Sequence, residues 1–157
     1  MRLLLQRVSR AAVDIDGTRV GQIGPGLLVL AGVGKDDGPE LPGAKLWATL
    51  CAKVLELRIF PDDAGKLNLS LRDTGGGLLL VSQFTLYADT RRGRRPSFTN
   101  AAPPELARTL YERLAADLAA QCPGPFAQGV FGAEMRLDFV NWGPVTILLD
   151  SAEYERD

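Results

Sequence analysis

Gly75-Gly76-Gly77-Leu78-Leu79-Leu80-Val81-Ser82-Gln83-Phe84-Thr85-Leu86 is the stretch on which the fold turns. Three glycines make a turn, and Leu78 to Leu86 then reads as a strongly apolar strand whose far end becomes polar. A continuous apolar run of strand length suits a strand buried on both faces. Leu27 to Val33 is a second such run. Two runs of this kind in one short chain place a sheet at its centre.

Working outward, Arg2 to Val8 reads as a first strand. Ala12 to Ile15 and Arg19 to Ile23 flank Asp16-Gly17. An Asp-Gly pair between alternating apolar residues signals a type I′ hairpin. Gly24-Pro25-Gly26 is a turn, and Lys35 to Gly43 is a loop. A helix is expected from about Leu41 to Leu57, because Trp47, Leu50, Cys51, Val54 and Leu55 recur at helical spacing. Pro61 stops it, Asp62 to Gly65 is a turn, and Leu67 to Leu71 a short strand. Tyr87 to Thr99 is a loop. A second helix runs from about Pro103 to Gln121, with Leu106, Leu110, Leu114 and Leu118 on one face. Proline suits a first helical position, where its missing N–H has no partner to lose. Arg136 to Val140 and Val145 to Leu149 close the chain as two strands around the tetrad Asn141 to Pro144. The expected fold is α+β: one domain over residues 1–157, a largely antiparallel, barrel-like β-sheet and two main helices.

The chain has 157 residues, 46% hydrophobic and 24% charged, which fits one ordinary globular domain. No apolar run approaches the roughly 20 residues of a membrane helix. Met1 to Arg7 does not read as a signal peptide, so a cytoplasmic protein without membrane association is expected. Cys51 and Cys122 form no CxxC pair and read as small core residues.

Histidine is absent. That removes Ser-His-Asp and Cys-His arrangements, and with only two cysteines it removes most zinc sites. Neither a metal nor a cofactor is expected. Catalysis would have to use other bases, backbone groups, water or the substrate itself.

Three segments carry chemistry. Ser82-Gln83-Phe84-Thr85 places polar groups at the end of a buried strand, where they either line a pocket or satisfy local backbone. Asn141-Trp142-Gly143-Pro144-Val145-Thr146 holds a Gly-Pro pair between strands, and X-Pro bonds are the only common cis peptides. Arg91, Arg92, Arg94 and Arg95 crowd one loop of a chain whose net charge is −1. Such a local patch is able to hold phosphates, or it is simply a solvated loop. There is no P-loop, since the glycines at 75–77 precede a strand, and the Asp14/Asp16 and Asp62/Asp63 pairs read as turn formers.

Taken together, these segments resemble the D-aminoacyl-tRNA deacylase family, whose signature is SQFTL plus NxGPVT. They stand here as Ser82 to Leu86 and Asn141 to Thr146. Matches at Gln6-Arg7-Val8, Gly26 to Leu30, Ala88-Asp89-Thr90, Arg95 to Phe98 and Gly132 to Met135 extend the resemblance over nearly the whole chain. The resemblance implies a homodimer that hydrolyses D-aminoacyl-tRNA, and glycyl-tRNA, at the 3′ acceptor end. Gly143 and Pro144 would be joined by a cis bond and would reach into the partner's pocket. There their carbonyls would hold the substrate amino group and exclude an L side chain. Arg7 would steady that element. Ser82, Gln83, Phe84 and Thr85 would line the ester side as the catalytic segment. Met135 and Asn141 would complete substrate binding, and Arg91, Arg92, Arg94 and Arg95 would meet tRNA. Catalysis would rest on backbone donors and the terminal 2′-hydroxyl, with Thr85 as a nucleophile the second choice. The chain departs from the family pattern at Trp142, often small and polar there, and at Tyr87, where alanine is common. The rival readings are a tRNA or nucleotide binder without activity, a hydrolase of another ester or peptide, and a dimeric scaffold.

Overall fold

The computed structural model describes residues 1–154. Its strands are β1 (Arg2–Ile15), β2 (Thr18–Ile23), β3 (Gly26–Gly32), β4 (Phe60–Pro61), β5 (Leu67–Leu69), β6 (Gly77–Ser82), β7 (Phe126–Gln128) and β8 (Arg136–Asp150). Its helices are α1 (Lys45–Glu56), α2 (Leu71–Thr74), α3 (Pro104–Gln121) and α4 (Ser151–Tyr154).

The main sheet runs β2-β1-β3-β6-β7, with β8 on the other edge of β1. β1 pairs antiparallel with β2, β3 and β8, whereas β3–β6 and β6–β7 are parallel. The sheet is therefore mixed, and it curls until β2 nears β7. A Cβ placed on Gly21 would stand 3.2 Å from the Cβ of Ala127.

Alternation along the two apolar runs explains the curl. Leu27, Val29, Ala31, Leu78 and Leu80 face a core built with α1 and α3. Leu28, Leu79 and Val81 face the opposite way, into a smaller cluster with Val8, Ala11, Val13 and Ile23 inside the barrel. Both faces of β3 and β6 are thus buried, which is why these strands carry no polar alternation. Gly26 opens β3 beside Gly77, and a methyl on Gly26 would overlap the Gly77 carbonyl. The Asp16-Gly17 hairpin has φ of 49° and 78°, as a type I′ turn requires.

Several boundaries differ from expectation. Arg2 to Val8 and Ala12 to Ile15 form one strand, because exposed Ser9 and Arg10 lie within a β1 that is paired to β8 along most of its length. The first helix starts at Lys45, with a 3-10 turn over Leu41–Gly43 ahead of it. The strand expected over Leu67 to Leu71 ends at Leu69. Ser70 and Asp73 then form a capping box that starts α2. β6 stops at Ser82, and the chain turns into a 3-10 segment over Phe84–Tyr87. The second helix begins at Pro104, with Pro103 as its cap. The closing strands are a single element, β8, and β7 was not expected.

Candidate active site

Parallel pairing places the ends of β3 and β6 side by side, with Ala31 opposite Ser82. The Gln83 amide donates to the Ala31 carbonyl at 2.7 Å, which ends the strand and aims the next residues outward. In the following 3-10 turn the Leu86 amide bonds back to Gln83 O. The leading N–H groups of such a turn have no partner within it, so the amides of Phe84 and Thr85 are free to meet a ligand.

A cleft of about 530 Å³ opens at this strand end. Ser82, Gln83 and Phe84 line it, along with Met135, Tyr111 and Phe131. Phe84 meets Phe98 edge-on, with centroids 4.9 Å apart, and Phe98 also lines the cleft. The lining contains no Asp, Glu, Lys, Arg or Cys side chain. Its single titratable group is Tyr111, which donates to Leu80 O at 3.1 Å, and burial pushes that hydroxyl well above the ordinary tyrosine range. No side chain in the cleft is therefore a general base near neutral pH. Among the described residues no group of three or more Cys, Asp or Glu is arranged to hold a metal.

Thr85 is exposed and does not line the cleft, and Gln83 Nε2 donates to its hydroxyl oxygen at 2.5 Å. Gly143 and Pro144 also stand outside it. Trp142 to Val145 bulge from β8 opposite Arg7 alone, since the register passes from Gln6–Thr146 to Val8–Asn141. The Gly143–Pro144 bond is cis. Asn141 braces the bulge: its Oδ1 accepts from Val145 N at 2.8 Å and its Nδ2 donates to Thr146 Oγ1 at 3.0 Å. Buried Arg7 donates from Nε to Trp142 O at 2.8 Å and from Nη1 to Ile59 O at 2.7 Å. Burial lowers its pKa.

Arg91, Arg92, Arg94 and Arg95 are all exposed. Arg91 is engaged with Asp89 at 2.6 Å, and that hydrogen bond holds the Asp89 carboxyl well below the usual carboxylate range. Arg92, Arg94 and Arg95 make no ion pair among the described residues.

The family model for D-Tyr-tRNA(Tyr) deacylase matches residues 4–150. The chain belongs to this family. As a member of the D-Tyr-tRNA(Tyr) deacylase family it is an enzyme of the ester-hydrolysing deacylase type. A D-aminoacyl-tRNA deacylase from Nitratidesulfovibrio vulgaris is 60% identical, covering 98% of this chain and 94% of that one. A D-aminoacyl-tRNA deacylase from Deinococcus deserti is 55% identical over 96% of this chain and 99% of its own. A solved structure titled c-Myc DNA unwinding element binding protein superposes with a TM-score of 0.85 at 36% identity, covering 96% of this chain and 98% of that one. One titled a probable eukaryotic D-amino acid tRNA deacylase shares the fold, with a TM-score of 0.78 at 18% identity, covering 94% of this chain and 97% of that one.

Sequence reasoning missed Phe98, Tyr111 and Phe131, which shape the deacylase cleft. They are aromatic residues from separate segments of the chain. Asp89 was also missed as the partner of Arg91, although its position two residues earlier was a usable signal.

Proposed function

We propose that this chain hydrolyses the ester joining a D-amino acid, or glycine, to the terminal ribose of tRNA, and rejects L-aminoacyl-tRNA. The observation that carries this reading is a cleft with polar backbone at a strand end and no charged side chain in its lining. An activated ester needs less help than an amide. Water adds to the carbonyl carbon, and the amides of Phe84 and Thr85 receive the developing oxyanion. The bond between the carbonyl carbon and the ribose oxygen then breaks, and the proton lost by water passes to that oxygen. The neighbouring 2′-hydroxyl of the substrate serves as the proton relay. Preorganised backbone donors of this kind supply much of the barrier reduction in acyl transfer.

The chiral part needs a second copy. Gly143 and Pro144 project from the surface and do not line their own chain's cleft. Among the described residues β8 pairs with β1 alone, leaving an edge on which Val140, Trp142 and Leu148 are exposed. A long edge strand with exposed apolar residues is a site for association. A homodimer across this face places each Gly143–Pro144 element at the partner's cleft, where its carbonyls hold the substrate amine. Arg92, Arg94 and Arg95 hold the acceptor-end phosphates. Among the described residues no helix is long and apolar enough to cross a membrane, and we place the enzyme in the cytoplasm with its substrate.

Deacylation of D-Tyr-tRNA, Gly-tRNA and L-Tyr-tRNA by the purified protein tests this, alongside sedimentation. Loss of the D and glycyl esters alone, by a dimer, is the expected result; cleavage of all three esters, or of none, rejects it.

A further inference from the structure

We propose that Trp142 is a positioning residue that fixes Arg7 against Gly143 and thereby sets discrimination between D and L substrates; this rests on the chiral reading above. Arg7 is 6% exposed, and no carboxylate lies within ion-pair distance of it among the described residues. A buried cation must be compensated by other means. Here the compensation comes from two carbonyls, Ile59 O at 2.7 Å and Trp142 O at 2.8 Å, and from a ring face. The Arg7 Cζ stands 4.4 Å from the centroid of the Trp142 ring. One residue thus grips the guanidinium twice, by its carbonyl within the bulge and by its indole.

The guanidinium also packs close to the glycine. A Cβ on Gly143 would fall 2.7 Å from Arg7 Nη2. The guanidinium therefore contacts both the indole and the backbone at Gly143, one peptide bond apart in sequence. Removing the indole leaves the Trp142 carbonyl in place but opens that face of the guanidinium to water and to rotation. Gly143 then loses its backing, and the direction of its carbonyl with it. A misplacement of about 1 Å in a substrate-positioning element costs roughly 100-fold in rate. An aromatic of smaller π-face keeps the contact in weaker form, whereas an aliphatic of similar bulk loses it.

The test compares wild type, Trp142→Leu and Trp142→Phe on D-Tyr-tRNA and L-Tyr-tRNA, with dimer state and melting temperature recorded. The expected result is a D-to-L ratio of kcat/KM reduced about tenfold or more in Trp142→Leu, and restored to within about threefold of wild type in Trp142→Phe. A purely structural role would move the melting temperature and leave that ratio alone. An unchanged ratio in Trp142→Leu overturns the proposal, as does equal loss in Leu and Phe variants that fold and dimerise. If wild type itself shows no preference for the D ester, the chiral reading has failed, not the role of Trp142 within it.

Discussion

Gln83 Nε2 donates to the hydroxyl oxygen of Thr85 at 2.5 Å, and that threonine faces away from the cleft lining formed by its neighbours Ser82, Gln83 and Phe84. An oxygen occupied as an acceptor, with no histidine anywhere in the chain and no carboxylate or lysine in the cleft, lacks what a nucleophile needs. Thr85→Ala removes the hydroxyl and leaves the backbone amide in place. It should keep D-Tyr-tRNA deacylation within about tenfold of wild type, whereas loss of a true nucleophile costs on the order of 10⁴-fold or more. Single-turnover rates of the two proteins decide between these outcomes.

Gly143→Ala meets a different obstacle. Gly143 has φ +134°, outside the range that L side chains readily adopt, and an added Cβ would stand 2.7 Å from Arg7 Nη2 and 2.9 Å from Val145 Cγ2. A residue forced into such a region costs about 1–3 kcal/mol. The bulge is exposed, so the fold should survive with a melting temperature lowered by several degrees. kcat/KM for D-Tyr-tRNA should fall by roughly 100-fold if the displaced element orients the amine as proposed. Near-wild-type activity would show that the Gly143 carbonyl is not used.

The parts of the fold legible in the sequence are those where one physical cause dominates. Asp16-Gly17 fixes a turn that tolerates positive φ. Trp47, Leu50, Cys51, Val54 and Leu55 form the buried stripe of α1 that their spacing requires. The unreadable parts depend on partners far along the chain. Phe126–Gln128 becomes a strand because β6 offers a free parallel edge to Leu78–Leu80. Ser9 and Arg10 look like a break but lie inside β1. The site divides in the same way. Ser82-Gln83-Phe84 was visible as polar chemistry at a strand end, whereas Tyr111 and Phe131 gain meaning only once α3 and the segment after β7 are folded against it.

The arginine loop yields a prediction in salt rather than in rate. Arg91 is already committed to Asp89, while Arg92 and Arg94 make no ion pair among the described residues. Arg92→Ala and Arg94→Ala should each raise KM for the tRNA substrate several-fold and leave kcat near wild type. Each lost phosphate contact should also flatten the dependence of log K on log salt by about 0.7–0.9. Arg91→Ala should do less, because its charge is partly spent on its neighbour. Titration of tRNA binding from low to high salt reads the slopes, and identical slopes in all four proteins would place the tRNA elsewhere.

Alkaline stability reports on Cys51. This thiol sits on the buried face of α1 at 3% exposure, and burial, with a contribution from Asp117, pushes it up to about 11 from an ordinary 9.0. The folded state therefore favours the neutral thiol. That preference stabilises the protein fully below the unfolded value and is lost as pH rises from about 9 through 11. A shift of this size corresponds to at most about 3 kcal/mol. Tyr87 and Tyr111 are raised in the same sense by burial, and their loss, which begins above an ordinary 10.0, is common to wild type and the Cys51 variant. Urea unfolding at pH 8 and pH 10.5 should show wild type losing more stability across the interval than Cys51→Ala, even though the variant starts lower because of the sulfur it lacks. An equal loss in both proteins would assign the alkaline transition to other groups and show that the Cys51 thiol titrates alike in the folded and unfolded states.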